Sequence, residues 1–151
     1  MSASATKPAV PAVPGWFTLD EPPELLGSRC TSCGVAAFPP RPGRCPNPAC
    51  RGTETESVPL GRTGRVWSFT DARYQPPPPY VVPTDPYQPF ALAAVELDGQ
   101  GMVVLGQMTA GISVDDLEVG QPVELVVEPL FETDENVQLV WKWRPAPAGS
   151  A

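Results

Sequence analysis

The chain has 151 residues, enough for one domain or two very small ones, with 22 Pro and 13 Gly beside 42% hydrophobic residues and a formal net charge of −7. Pro and Gly fall just short of the share that marks disordered chains, so a small core built from short strands and turns is expected, without long helices. His is absent and Lys occurs only at Lys7 and Lys142, which excludes a Ser-His-Asp triad, a Cys-His dyad, an HExxH protease, a Cys2His2 finger and a P-loop, and leaves little for Schiff-base chemistry.

Residues 1–14 are small residues and prolines, too poor in apolar surface to offset their ordering entropy, and read as a disordered tail. Residues 15–27 contain Trp16, Phe17, an acidic Pro22-Pro23 corner and Leu25-Leu26-Gly27, which suggests one or two short helical turns. Trp16 and Phe17, so near a terminus, serve either as a lid on the chain's own core or as an arm docking on another subunit.

Residues 28–60 carry Cys30-Thr31-Ser32-Cys33-Gly34 and Cys45-Pro46-Asn47-Pro48-Ala49-Cys50, a C-x2-C-x11-C-x4-C pattern. A C-x2-C turn points two thiolates the same way, Gly34 can take the positive φ that tightens it, and a second turn completes a tetrahedron of sulfurs. Such a set suits Zn, or less favourably Fe, and four Cys ligands favour a closed structural site over a catalytic one that keeps a position for water. Redox dithiol or disulfide chemistry is the alternative for the same cysteines.

Residues 61–145 show a period of two. Gly64 to Thr70 forms a first strand, with Trp67 and Phe69 on one face and Val66 and Ser68 on the other. A Pro/Tyr-rich loop spans residues 74–89, longer than ordinary connections, and its role as a functional loop or a solvent linker is open. Phe90 to Leu97 and Met102 to Met108 flank the Asp98-Gly99-Gln100-Gly101 turn of a hairpin. Ser113 caps a brief helix, and strands follow at Pro122 to Phe131 and Val137 to Trp143. Five strands with that short connector match a Greek-key barrel of the OB type. Residues 146–151 read as a second disordered tail.

Charge is uneven: residues 29–73 sum to +4, and residues 74–141 carry eleven acids with no Lys or Arg. The Arg-rich part is either solvated surface or a face for an anionic ligand or partner. No apolar run is long enough for a membrane helix and no signal peptide is recognisable, so a cytoplasmic location is expected.

The series Cys30-x-x-Cys33-Gly34, Phe38-Pro39-Pro40-Arg41, Cys45-Pro46, Gly64 to Thr70, Phe90 to Leu97 and Val119-Gly120-Gln121-Pro122-Val123-Glu124 resembles the zinc-ribbon plus OB-fold proteins of the DUF35 family, over about residues 15–145. The resemblance implies a mostly β chain: a short N-terminal helical segment, a rubredoxin-like zinc ribbon and a five-stranded OB-fold barrel. It also implies zinc on Cys30, Cys33, Cys45 and Cys50, and no catalytic residue. Family members are similar to non-catalytic partners of thiolase-fold enzymes (thiolases, acyltransferases and aldolases) acting on acyl-CoA. The implied assembly is a heterotetramer of two of each chain, with acyl-CoA near the interface. On that view Arg41, Arg44, Arg51 and Arg65, with Arg29 and Arg62, are candidates for CoA phosphate or partner contacts, because guanidinium forks suit phosphate. Trp16, Phe17, Tyr80 and Tyr87 are the candidate docking aromatics. The second cysteine pair encloses four residues where the family commonly has two, which widens that knuckle. The alternative is nucleic-acid binding, a role ribbons and OB barrels also serve, but the acidic barrel opposes it, and neither nucleic acid nor membrane is expected as a partner.

Overall fold

The computed structural model describes residues 7–78 and 86–146. Strand β1 is Ala9–Pro11, and β2 (Leu25–Cys30), β3 (Ala36–Ala37) and β4 (Thr55–Gly61) form a small antiparallel sheet in the order β3-β2-β4. Strands β5 (Thr63–Ala72), β6 (Phe90–Leu97), β7 (Val103–Gln107), β8 (Pro122–Glu132) and β9 (Val137–Pro145) follow. With β1 they make a six-stranded sheet ordered β1-β9-β8-β5-β6-β7. A parallel bridge between Met108 and Trp143, with the Thr109 N–H donating to the Trp143 carbonyl at 2.8 Å, brings the end of β7 back to β9. That closure makes β5 to β9 a five-stranded OB barrel, and the expected architecture of ribbon followed by barrel holds.

The brief helix is a single 3-10 turn, Val114–Asp116. The Ser113 hydroxyl accepts from the Asp115 N–H while the Asp116 carboxylate accepts from the Ser113 N–H, a reciprocal cap that satisfies two otherwise orphaned donors.

Three expectations need correction. The N-terminal helical segment does not form: Phe17 bridges Leu25, the Thr18 N–H donates to Glu24 and the Leu26 N–H to Trp16, and β2 begins at Leu25. Pro22 and Pro23 remove two donors a helix would need, whereas antiparallel pairing buries Phe17 and Leu25 together. The first tail is not free over its described part. Ala9 to Pro11 pair in parallel with Val137 to Leu139, and the Lys7 ammonium donates to the Thr133 carbonyl at 2.9 Å. Pro is tolerated there because an edge strand turns alternate N–H positions away from its neighbour. The pairing uses the Pro8 carbonyl and the Ala12 N–H. Residues 1–6 and 147–151, also assigned to the tails, lie outside the described residues, and Ala146 is held by its N–H to the Pro122 carbonyl. Finally, a β-bulge between Val66 and Ser68 breaks the alternation on β5. Trp67 points outward, 60% exposed, while Phe69 turns back to pack against the core.

A single hydrophobic core serves both sheets. Phe17, Leu25 and Leu60 from the N-terminal part join Val66, Val95, Leu97, Leu125 and Trp143 of the barrel. Four aromatic rings link the parts edge to face: Trp16 to Phe38 at 5.4 Å, Phe38 to Trp141 at 5.8 Å, and Trp141 to Trp143 at 5.9 Å. Such pairs add about 0.5–1.5 kcal/mol each beyond area burial. Among the described residues no helix is long and apolar enough to cross a membrane.

Gly106 on β7 is fitted beneath this ladder. A Cβ there would fall on the Trp141 ring and close to the Trp143 indole nitrogen. Gly106→Ala is expected to lower unfolding free energy by about 1–3 kcal/mol, the usual cost of overpacking a filled core; urea melts unchanged from wild type would show that the ladder does not clamp this strand.

Candidate metal centre and the arginine face

The two cysteine pairs sit at neighbouring turns of the ribbon. Cys30 ends β2, where its N–H donates to the Val35 carbonyl and its carbonyl accepts from the Gly34 N–H, closing a tight turn on Gly34 at φ +81°. Cys45 is held by its N–H to the Gly52 carbonyl, and Cys50 by its N–H to the Asn47 carbonyl. All four sulfurs lie within 4.8 Å of one another. Across the two pairs, Cys33 lies 3.6 Å from Cys45 and Cys30 lies 3.8 Å from Cys50. A tetrahedron with metal–sulfur bonds near 2.3 Å has sulfur–sulfur edges of about 3.8 Å. The observed spacing therefore fits one metal ion held by four thiolates. A redox C-x2-C site would instead pair Cys30 with Cys33, and no two sulfurs approach the ~2.05 Å of a disulfide.

Backbone amides are aimed at the sulfurs. The Ser32 N–H points at Cys30, the Asn47 N–H at Cys45 and the Gly52 N–H at Cys50, at 3.4, 3.4 and 3.3 Å. The N–H groups of Cys33 and Ser32 pull the Cys30 thiol down to about 6. Burial pushes Cys45 up to about 12. At Cys50 the Gly52 N–H favours the thiolate, but burial and neighbouring sulfurs outweigh it and the thiol is raised. Several thiolates packed this closely repel, and a dication relieves that repulsion. The sulfurs of Cys30, Cys33, Cys45 and Cys50 are thus placed as a four-thiolate metal site would place them.

The wider second knuckle is absorbed locally. Asn47 accepts from the Ala49 N–H through its side-chain oxygen at 2.9 Å, an Asx turn that folds Pro48 and Ala49 outward and returns the chain to Cys50. Its amide also reaches toward Cys33 at 3.9 Å. Sequence reasoning passed over Asn47; its place between two prolines inside the second pair was the available signal.

The structure divides the arginines. Arg29 donates to the Gly34 carbonyl, Arg62 pairs with Glu124 and the Leu125 carbonyl, and Arg65 on β5 donates to the Gly120 carbonyl. Arg41, Arg44 and Arg51 are exposed, and among the described residues their guanidinium groups have no hydrogen-bond or ion-pair partner. Arg41 borders a groove of about 710 Å³ between ribbon and barrel, walled by Val35, Phe38, Pro39, Met102 and Val103. Arg44 and Arg51 border a separate cleft of about 630 Å³ with Cys50. Patterning gave no sign of the groove, since its walls come from β3, the loop after it and the distant β6–β7 turn.

Of the docking aromatics, Phe17 is 4% exposed in the chain's own core, in the place of a lid and not of a docking arm. Trp16 is half-buried against Phe38. The Tyr87 hydroxyl donates to the Ala72 carbonyl at 2.6 Å and its ring meets Phe90 edge to face. That anchors the end of the Pro/Tyr-rich loop to the barrel and uses the polar tip of Tyr87 internally. Tyr80 lies outside the described residues.

Comparison with known proteins covers the same two parts. A family model described as the ChsH2 rubredoxin-like zinc ribbon domain matches residues 20–56, and one described as the ChsH2 C-terminal OB-fold domain matches residues 57–128. The chain is 31% identical over 110 residues to a probable enoyl-CoA hydratase alpha subunit of Thermomonospora curvata, covering 73% of this chain and 31% of that one. It is 30% identical over 118 residues to the benzoylsuccinyl-CoA thiolase subunit BbsA of Geobacter metallireducens, covering 78% and 71%. This chain thus spans less than a third of the hydratase subunit but most of the thiolase subunit. Among solved structures, a chain of the Ltp2-ChsH2(DUF35) aldolase superposes with a TM-score of 0.59 at 30% identity, over 82% of this chain and 86% of that one.

Elemental analysis is expected to return one metal ion per chain, lost in a Cys45→Ser/Cys50→Ser double variant; stoichiometric metal in a folded double variant would refute the ligand set. Because Cys45 and Cys50 are raised above an ordinary thiol, both must give up protons when metal binds. Affinity should rise with pH, metal should leave on acidification, and uptake near neutral pH should release protons measurable in weak buffer.

Proposed function

Because the chain belongs to the DUF35 family of zinc-ribbon and OB-fold proteins, we propose that it is a non-catalytic accessory subunit of a thiolase-fold enzyme acting on acyl-CoA. Zinc is its structural metal, and two copies of each chain make the assembly. The observation that carries this reading is the likeness over 82% of its length to a chain of an aldolase assembly. The name of the thiolase subunit it also resembles points the same way.

The chain's own chemistry supports the division of labour. It has no His to act as a base, and its four thiols are gathered in one cluster where metal binding removes them from nucleophilic work. Zinc suits the site because it has no redox chemistry and accepts four thiolates in a closed tetrahedron. Arg41 beside the apolar groove offers a guanidinium fork to a phosphate of the thioester's carrier, and the apolar walls suit the carrier's arm. Arg44 and Arg51, without an ion-pair partner among the described residues, provide further positive charge on the separate cleft beside Cys50.

The purified chain is expected to turn over no acyl-CoA alone and to raise the activity of its thiolase-fold subunit when the two are mixed. Arg41→Glu in the complex should raise the apparent KM for acyl-CoA about 10-fold with kcat little changed, the effect of losing one charge-assisted contact. A partner equally active without this chain would remove the accessory role.

A further inference from the structure

The outward face of β6 and β7, together with Trp67 on β5, breaks the rule for a sheet that meets water. An antiparallel sheet with one solvated face alternates apolar inward with polar outward. Here the outward positions include Trp67 on β5, Leu92 and Ala94 on β6, and Val103 and Leu105 on β7. Trp67 is 60% exposed and Leu105 61%. Register sets Ala94 beside Leu105 on one side and Ser68 on the other. The short side chain of Ala94 leaves a hollow of about 80 Å³ between these larger neighbours. The bulge after Val66 is what aims Trp67 outward, and bulges commonly re-aim a side chain for use. An apolar face of this kind marks an interaction site.

Two further observations say what covers it. Val103 lies on this face and also lines the groove beside Arg41, so whatever covers the face also closes the groove. The charges around it are mainly acidic. Arg65 lies opposite Glu96 and Arg73 is paired with Asp71 and faces Asp115, while Asp98, Asp116 and Glu118 are exposed on the adjoining turns. Among the described residues, Asp98 accepts from the Thr63 hydroxyl and Asp116 from the Ser113 N–H, donors that carry no charge. A second copy of this chain would bring the same acids face to face, in a molecule already at −7. The complement is a different protein with an apolar centre ringed by Lys and Arg.

We propose that the outward face of β5, β6 and β7 is where the thiolase-fold subunit docks, with an aliphatic or aromatic side chain of the partner in the Ala94 hollow and basic residues around it. This rests on the accessory-subunit reading. Docked there, the partner forms the second wall of the groove that Arg41 borders, which brings the arginine to the edge of a shared acyl-CoA channel.

The test uses the full chain and the purified thiolase-fold subunit, with affinity read by titration calorimetry for wild type, Trp67→Asp, Leu105→Asp, the milder Leu105→Thr, and Leu19→Asp as a control exposed elsewhere. Melting temperature and metal content establish that each variant is folded. Trp67→Asp and Leu105→Asp should weaken binding about 30-fold or more, Leu105→Thr less, and Leu19→Asp less than twofold. Folded variants that bind like wild type would overturn the surface assignment and leave the accessory role standing. A wild-type chain that binds no thiolase-fold subunit would overturn both. A wild-type homodimer split by Leu105→Asp would show that the face pairs with a second copy and refute the proposal.

Discussion

Four sulfurs held within 4.8 Å are the constraint on which the ribbon depends. The ribbon sheet has one strand of two residues and shares its few large apolar groups with the barrel, too little to order about 30 residues unaided. A metal ion supplies the missing free energy by binding only where the four thiolates converge, so its binding is part of the folding equilibrium. The amides of Ser32, Asn47 and Gly52 are already directed at the sulfurs, which reduces the reorganisation that binding requires. Removing the ion would release the two knuckles and, with them, the chain that carries Phe38 and Arg41.

Phe38 transmits that order to the rest of the molecule. It stands between Trp16 and Trp141, so the segment just after β3 touches both the N-terminal loop and the last barrel strand. Leu25 and Leu60 at the far ends of the ribbon strands enter the barrel core directly. Metal site, aromatic ladder and barrel are thereby coupled in one packed unit, and the groove beside Arg41 is a seam of that unit. A rigid seam suits a subunit that shapes a site without reacting, because positions held by packing need no ordering when a partner arrives.

Much of this was legible in the sequence where the signal is local. The cysteine spacing picked out the four thiols that the fold gathers, alternation and turn glycines located the five barrel strands, and Ser113 marked the start of the brief helical turn. What was not legible depends on pairing across the chain. Ala9 to Pro11 have no strand signature because their order comes from the exposed edge of β9. Phe17 looks like a free aromatic until its bridge to Leu25 draws it into the core. Alternation places Trp67 on the same face as Phe69, and the two part because one extra residue in β5 reverses the pattern. The groove joins residues more than sixty positions apart, so no window of sequence contains it.

The account treats the chain as a metal-bearing docking unit whose chemistry belongs to another subunit. Native mass spectrometry of the assembly purified under non-denaturing conditions tests this most directly, because one spectrum reports partner, stoichiometry and metal together. The account predicts a heterotetramer of two copies of this chain and two of a thiolase-fold subunit, with one zinc ion for each copy of this chain. A chain found only by itself, or an assembly whose mass leaves no room for the zinc, would contradict it.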